Sequence, residues 1–274
     1  MLIARSVHPL PGEAERKDRL LSLVDRFANR HVAIVGDLGS DAASSVAALG
    51  GRVSLAEAAS RQFAAKLPAA LGHCDVVLLF DQGSGLVTPA LADTIHESLA
   101  RRSRRRPVPT VIGSTHQLLQ FRGQTMSVTS DAEIEHALGF SIEDDERARE
   151  RAGTSVLRRT RSQAVLAIGG ARGMALFQPK QAPIHFSILG SVHVAKTRRA
   201  RTHEAAVATV TLALASGASF YEAARLASYA HGLAARTRGR STVSAGALGA
   251  AVANDHDTSL EDWSQEGPQQ GRRR

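Results

Sequence analysis

The sequence predicts an α/β domain with a mostly parallel central sheet and helices on both faces. Helix-like and strand-like segments alternate along most of the 274 residues. An apolar run from 31 to 35 follows an amphipathic helix and ends in Gly36-Asp37, which is typical of strands in parallel sheets. An Ala-rich apolar helix around 207–214 has the small side chains that allow close packing on such a sheet.

Hydrophobic periodicity places the elements in chain order. It predicts helices at 13–29, 56–71, 88–102 and 144–159, an apolar helix that Gly217 ends, and a last helix after Ser244. Strands are predicted at 31–37, 53–55, 75–81, 107–112 and 164–168. The glycines of 169–173 indicate a hairpin turn, because no Lys-Ser/Thr pair follows them as in a phosphate loop. We assign 1–253 to one domain and the polar segment 254–274 to a disordered basic tail.

The composition limits the function classes. Hydrophobic residues make up 43% of the chain, which excludes global disorder, and aromatic residues make up only 4%. So few aromatic residues argue against stacking on single-stranded nucleic acid. The net charge of +8 favours anionic partners such as nucleotides and sugar phosphates, and the alternative is a solvated, arginine-rich surface.

The sequence also predicts a cytoplasmic protein. Cys74 is the only cysteine, so no internal disulfide can form, and a reducing compartment fits. No apolar run reaches the roughly 18 residues that a membrane span needs. Glu13, Glu15 and Asp18 interrupt any pattern of a signal peptide.

A basic segment precedes the apolar helix and is a candidate anion site. Its four cations are Lys196, Arg198, Arg199 and Arg201. Thr197 or Thr202 could cap a helix that begins after these cations, and free N–H groups at such a helix start suit a phosphate. The alternative is a solvated basic loop.

His203-Glu204 follows directly and begins like the zinc motif H-E-x-x-H. Val207 occupies the place of the second histidine, so the metal interpretation fails. The pair could still provide an acid and a base. The alternative is a structural glutamate in the first turn, where the helix dipole favours negative charge.

Several segments together carry a resemblance to a known family. Gly173–Phe177, Ala223–Ala230 and Arg238–Ser244 resemble the C-terminal half of ribokinase-like (PfkB) sugar kinases, with the bacterial heptose-7-phosphate kinases as the nearest subgroup. In the first half, Gly36-Asp37-Leu38 with Asp41, and the segment from Asp81 to Pro89, resemble the same subgroup. The resemblance implies a three-layer α/β/α domain that transfers a phosphate from ATP, with Mg²⁺, to a phosphosugar.

The resemblance also implies roles for individual residues. Asp37, Asp41 and Asp81 would bind the sugar. Glu133 would hold magnesium through water, although Ser130 and Glu133 also satisfy a helix capping box. The residues implied to contact phosphate or nucleotide are Arg198, Arg199, Arg201, Ser228, Arg238 and Gly239.

The chain departs from the family where the chemistry takes place. The family motif Asp-Val-Thr-Gly-Ala-Gly-Asp-Thr reads Arg201-Thr202-His203-Glu204 here, so the glycines are gone and Glu204 stands in place of the catalytic Asp. Ile168 and Gly169 replace a Thr-Arg pair near the nucleotide, and the lid hairpin expected after Asp41 is absent or reduced. We therefore predict that kinase activity is lost or very weak.

Two further alternatives stay open from the sequence. One is an enzyme with non-kinase chemistry in the same cleft, using His203, Glu204 or Asp41. The other is a non-catalytic binding or scaffolding protein that holds an anionic ligand or a partner protein. A homodimer through a surface other than the lid would follow the habit of the family.

Overall fold

The computed structural model describes residues 13–36, 42–57, 60, 62–81, 85–102, 107–114, 117–142, 145–169, 172–188, 196–237 and 242–255. Four of the predicted site residues lie outside these ranges: Asp37, Asp41, Arg238 and Gly239. The predicted tail also lies outside them from residue 256 onward.

A single sheet of eight strands forms the centre of the described chain, in the order β2-β1-β3-β4-β5-β6-β7-β8. The first six strands are parallel, and β7 and β8 continue the sheet in antiparallel pairing. The strands are β1 His31–Gly36, β2 Arg52–Glu57, β3 Val76–Asp81, β4 Thr110–Ser114, β5 Met126–Ser130, β6 Ala164–Ile168, β7 Met174–Phe177 and β8 Ile184–Phe186. The antiparallel pairing of β6 and β7 confirms the predicted hairpin turn.

Helices cover both faces of this sheet. They are α1 Glu13–Asp25, α2 Ala42–Ala48, α3 Phe63–Gly72, α4 Pro89–Arg102, α5 Asp131–Leu138, α6 Glu146–Thr160, α7 Lys196–Ala215, α8 Phe220–Arg236 and α9 Ala245–Ala253. Alternate strand residues face opposite layers, as the period of a strand requires. In β1, for example, Val32 and Ile34 pack with α1, α2, α7 and α8, while Ala33 and Val35 pack with α3 and α4.

The three-layer, mostly parallel α/β fold predicted from the sequence is thus confirmed. Some element boundaries differ. The helix predicted from residue 56 begins only at Phe63, because β2 pairs in register with β1 as far as Glu57. The strand predicted at 107–112 lies at Thr110–Ser114 and pairs there with β3.

Hydrogen bonds connect Asp255, the last described residue, to α8. Asp255 Oδ2 accepts a hydrogen bond from Arg225 Nη2 at 2.7 Å and another from the Tyr229 hydroxyl. Burial and this contact with Asp255 raise the pKa of the tyrosine. No helix in the described ranges is both long enough and apolar enough to cross a membrane.

Candidate functional site at the carboxyl ends of the strands

The direction of α7 places the predicted catalytic pair at the carboxyl ends of the parallel strands. A Cβ atom on Gly113, near the end of β4, would lie 3.3 Å from Val207 Cγ2, and one on Gly51, just before β2, would lie 2.6 Å from Leu212 Cδ2. The helix therefore runs antiparallel to the strands, with its N-terminal half at their carboxyl ends. Ligands of open α/β sheets bind at this edge.

Glu204 is a candidate whose side chain is buried at this edge. It precedes Val207 by three residues and so shares its helix face, which is turned towards the ends of β3 and β4. Glu204 and Thr202 are buried, while Arg201 and His203 are half-buried. The structure therefore brings a buried carboxylate and a partly accessible imidazole to the same edge.

The predicted helix start is wrong. The helix α7 begins at Lys196, so Arg198, Arg199 and Arg201 lie within it and not in a loop before it. Arginine, lysine and alanine are strong helix formers, and this outweighs the repulsion between the cations. Thr197 and Thr202 both lie inside the helix and not at the position before its first residue, and His203 and Glu204 lie about two turns inside it and not in its first turn.

A second histidine, which the sequence analysis did not single out, packs near His203. The helix α8 follows α7 after a short turn at 216–219 and packs back against it, which brings His231 near His203. Burial and the proximity of His203 lower the pKa of His231 to about 4. Its Nδ1 atom is buried and has no hydrogen-bond partner among the described residues. In the sequence, His231 stands with Ala227, Ala230 and Ala235 on the apolar face of α8. Its burial could have been predicted from this pattern.

The side chains of Ser228 and Glu133 form hydrogen bonds with residues of their own segments. Ser228 is buried, and its hydroxyl donates to the Arg225 carbonyl at 2.7 Å. The capping box predicted for Ser130 and Glu133 is confirmed, with Glu133 Oε2 accepting from the Ser130 N–H at 2.6 Å. That same oxygen also accepts from the Thr129 hydroxyl at 2.8 Å. The nucleotide role of Ser228 and the magnesium role of Glu133 stay predictions.

Asp81 ends β3 and lies in register with Ser114 at the end of β4, so it also belongs to this edge. The ends of β1 and β3 approach so closely that a Cβ atom on Gly36 would lie 2.0 Å from the Phe80 carbonyl oxygen. Only glycine fits at residue 36 for this reason. No group of three metal-ligating side chains occurs in the part of the chain that the structure describes.

A buried ion-pair cluster, also missed from the sequence, lies at the carboxyl ends of β5 and β6. Arg149 of α6 is only 1% exposed, and its Nε donates to Asp131 Oδ1 at 3.1 Å. The other carboxylate oxygen of Asp131 lies 3.1 Å from both Arg149 Nε and Arg172 Nη2. The sequence predicts a highly charged amphipathic helix at 144–159, and nothing in its pattern distinguishes Arg149 from the other arginines.

The comparisons with known proteins agree with this architecture. The chain is 31% identical over 185 residues to the bifunctional protein HldE of Caulobacter vibrioides, and this match covers 67% of the chain and 37% of the relative. A putative ribokinase from Agrobacterium tumefaciens superposes with a TM-score of 0.62 at 14% identity, covering 82% of this chain and 97% of the other. Arabidopsis thaliana ribokinase, in a complex with ribose and ATP, superposes with a TM-score of 0.58 at 17% identity. This match covers 89% of the present chain and 93% of the ribokinase chain. No family model matches the chain.

The fold is that of the ribokinase-like proteins. In sequence the chain is related to the bifunctional HldE proteins, and its resemblance to ribokinase-like sugar kinases close to the heptose kinases is confirmed. The chain spans about two fifths or less of the length of the curated relatives that it matches, 33% to 41% in three of them.

Proposed function

We propose that the chain is a sugar-kinase-like protein that binds an anionic ligand, a nucleotide or a sugar phosphate, at the carboxyl ends of its strands. In this proposal its phosphoryl-transfer activity is lost or very weak. The observation that carries the loss of activity is that α7 continues as a helix through Arg201, Thr202, His203 and Glu204. Anion binding is supported by the net charge of +8.

The helical backbone bears directly on phosphoryl transfer. Transfer depends on positioning and on donors aimed at the phosphate, such as backbone N–H groups at the end of a loop. Inside a helix the N–H groups of 201–204 bond to carbonyl groups four residues earlier, so they are not available to a phosphate. A glutamate at 204 also moves the carboxylate by about 1 Å relative to an aspartate, which is more than catalytic geometry tolerates.

ATP and Mg²⁺ are the cofactors that the kinase ancestry implies. The Arabidopsis ribokinase structure holds ATP and ribose, which shows what that protein binds. In this chain, Glu133 is committed to a helix cap, and no group of three ligating side chains occurs in the described ranges. The magnesium role of Glu133 stays a prediction, and we derive no catalytic step through the metal.

A coupled assay with ATP, Mg²⁺ and either heptose 7-phosphate or fructose 6-phosphate tests the proposal. We expect no turnover above background, together with an upward shift of the melting temperature when ATP or a sugar phosphate is added. Robust ATP-dependent turnover would contradict the loss of activity, and Glu204→Gln would then show whether Glu204 is the base. If no anion stabilises the protein, anion binding is refuted and a macromolecular partner becomes the better explanation.

A second candidate function is non-kinase chemistry in the same cleft. The observation that favours it is the pair of neighbouring imidazoles, His203 half-buried and His231 buried, beside the buried Glu204. Such groups can exchange protons with a bound metabolite. Stabilisation of the protein by a metabolite that carries no nucleotide, combined with its chemical conversion, would support this function over the first.

We also propose a homodimer that forms through a surface other than a lid, in a cytoplasmic protein. Within the described residues β2 pairs only with β1, so it lies at one edge of the sheet, and Leu55 on that strand is 40% exposed. Open strand edges favour pairing with another chain.

A further inference from the structure

The edge strand β2 has one row of backbone groups without a strand partner in the described part of the chain. It pairs with β1 alone, in parallel register from Arg52 to Glu57. The Arg52 N–H donates to the Arg30 carbonyl at 2.8 Å, so Arg52 directs its backbone groups towards β1. Because the backbone groups of successive strand residues point to opposite edges, those of Val53, Leu55 and Glu57 point away from β1. Another extended strand can satisfy this row.

The two edges of the sheet differ in their protection against such pairing. Proteins usually protect an open edge by keeping its strand short or by placing proline or charged side chains on it. The strand β8 at the other edge is only 3 residues long and directly follows Pro183. The strand β2 is 6 residues long, and its inner residues 53–56 include neither proline nor a charged side chain. The β2 edge is therefore the less protected of the two.

The surroundings of β2 contain few charges. The helices α2 and α3 pack against this strand, and together they carry a single charged side chain, Lys66, although 22% of the residues in the chain are charged. The exposed residues of α3 other than Lys66 are alanine, proline and glycine. On β2 itself, Leu55 is 40% exposed. Depletion of charged residues distinguishes the centre of a protein interface from the rest of the surface.

The low charge favours a second copy of this chain as the partner. Two copies that each carry a net charge of +8 repel each other, and this repulsion is smallest where the facing surfaces are neutral. Arg52 and Glu57 carry opposite charges, so β2 has no net charge. An acidic partner protein would instead gain more from a basic surface.

We propose that two copies of the chain pair through their β2 strands, antiparallel and about a two-fold axis at Leu55. In this register Leu55 lies opposite the same residue of the second copy, and Val53 lies opposite the second copy's Glu57. All of these residues direct their backbone groups outward, so each opposed pair exchanges two N–H to carbonyl bonds. The two sheets join into one, and the two exposed leucine side chains cover each other. The inference rests on the proposed homodimer and names the surface that forms it.

Disulfide cross-linking at residue 55 of the full chain tests the register. The Cα atoms of a hydrogen-bonded antiparallel pair are about 5.5 Å apart, which lies within the span of about 4.4–6.8 Å that a disulfide bridges. With oxidised glutathione, which is reduced as the two new thiols form their disulfide, Leu55→Cys should give a covalent dimer. Leu86→Cys is the matched control, because Leu86 is 39% exposed and follows β3, and this variant should stay a monomer on a non-reducing gel. Both variants keep the buried Cys74, so its reactivity affects them equally.

A proline at the same position tests the pairing of the backbone. Leu55→Pro removes the outward N–H group and keeps the bonds to β1, which an edge strand tolerates. We expect the dissociation constant of the dimer to rise at least about tenfold, because the two central hydrogen bonds are lost. Leu55→Ala keeps the N–H group and should therefore dimerise more tightly than Leu55→Pro, and circular dichroism checks that both variants are folded. If Leu55→Pro does not fold, the cross-link at residue 55 decides.

The outcomes separate this inference from the proposed homodimer. If the wild-type protein has the mass of a dimer but Leu55→Cys gives no more covalent dimer than Leu86→Cys, the assignment of β2 is wrong while the homodimer stands. A folded Leu55→Pro variant that dimerises as tightly as the wild type leads to the same conclusion. If the wild-type protein is a monomer, both proposals are refuted.

Discussion

Protonation of His231 should destabilise the folded protein, because the ring is buried beside His203. Its pKa is about 4 in the folded protein, against 6.5 for an unperturbed histidine, so the unfolded chain binds more protons between these values. The stabilising contribution is complete above about pH 6.5 and is lost as the pH falls towards 4. We expect a loss of about 3 kcal/mol in the free energy of unfolding across this range from His231 alone.

Urea unfolding at several pH values between 4 and 7 measures this contribution. His231→Gln removes the titrating group, so its free energy of unfolding should depend less on pH than that of the wild type. His73→Gln, which makes the same substitution at an exposed histidine, supplies the control. Equal pH dependence in the wild type and in His231→Gln would contradict the prediction.

Gly169→Ala should destabilise the protein by overpacking, by roughly 1–3 kcal/mol. The added methyl group would meet Arg149 and Asp131, which are fixed by several hydrogen bonds and cannot move aside easily. Gly246→Ala in α9 is the matched control, since nothing lies within 4 Å of its Cβ position. That change should stabilise the helix by roughly 0.5–1 kcal/mol, and chemical denaturation of both variants checks the difference in sign.

At the scale of elements, the N-terminal half of α7 provides the most direct test of the proposed loss of activity. If 201–204 are helical, their amide protons are bonded and should exchange with solvent far more slowly than those of an open loop. Hydrogen–deuterium exchange read by mass spectrometry gives this rate. Exchange of these amides as fast as in an unstructured peptide would show that the helix begins later, as the sequence alone suggested.

The individual elements also show which features of the sequence were sufficient to predict the local structure. The capping box of Ser130 and Glu133 was predicted correctly because it is local, and both of its hydrogen bonds lie within four residues. The start of α7 was missed, because a run of cations does not reveal whether it lies before a helix or within it. The α6 arginine at 149 was missed because its partners are Asp131 and the β6–β7 turn, which come close only in the folded chain.

At the scale of the whole molecule, light scattering at low and high salt tests the proposed dimer. We expect the measured mass to be that of a dimer. Because the net charge of +8 opposes self-association and salt screens it, the dimeric fraction should be larger at high salt. Leu55→Lys would place a charge on the exposed edge strand β2 and should shift the equilibrium to monomer if that edge forms the interface. A monomer mass at both salt concentrations would contradict the dimer.

The architecture followed from the sequence more completely than the site did. Alternating helices and strands, the Ala-rich α7 and the turn at 169–173 depend on periodicity and on glycine, so the sheet and its two layers could be predicted. The site depends on pairs that are distant in sequence, such as His203 with His231 and Asp131 with Arg149. Periodicity places each of these residues on an element but does not say which residues meet.

Gly169 and Arg149 compete for one space, so a large side chain at 169 requires a smaller one at 149. The resemblance to ribokinase-like kinases implies an arginine at 169, and that side chain would meet Arg149 and Asp131 here. This steric conflict is a barrier to introducing the arginine unless residue 149 becomes smaller first. Comparing Gly169→Arg with the double variant Arg149→Ala/Gly169→Arg measures this barrier, and equal stability of the two proteins would show that the barrier does not exist.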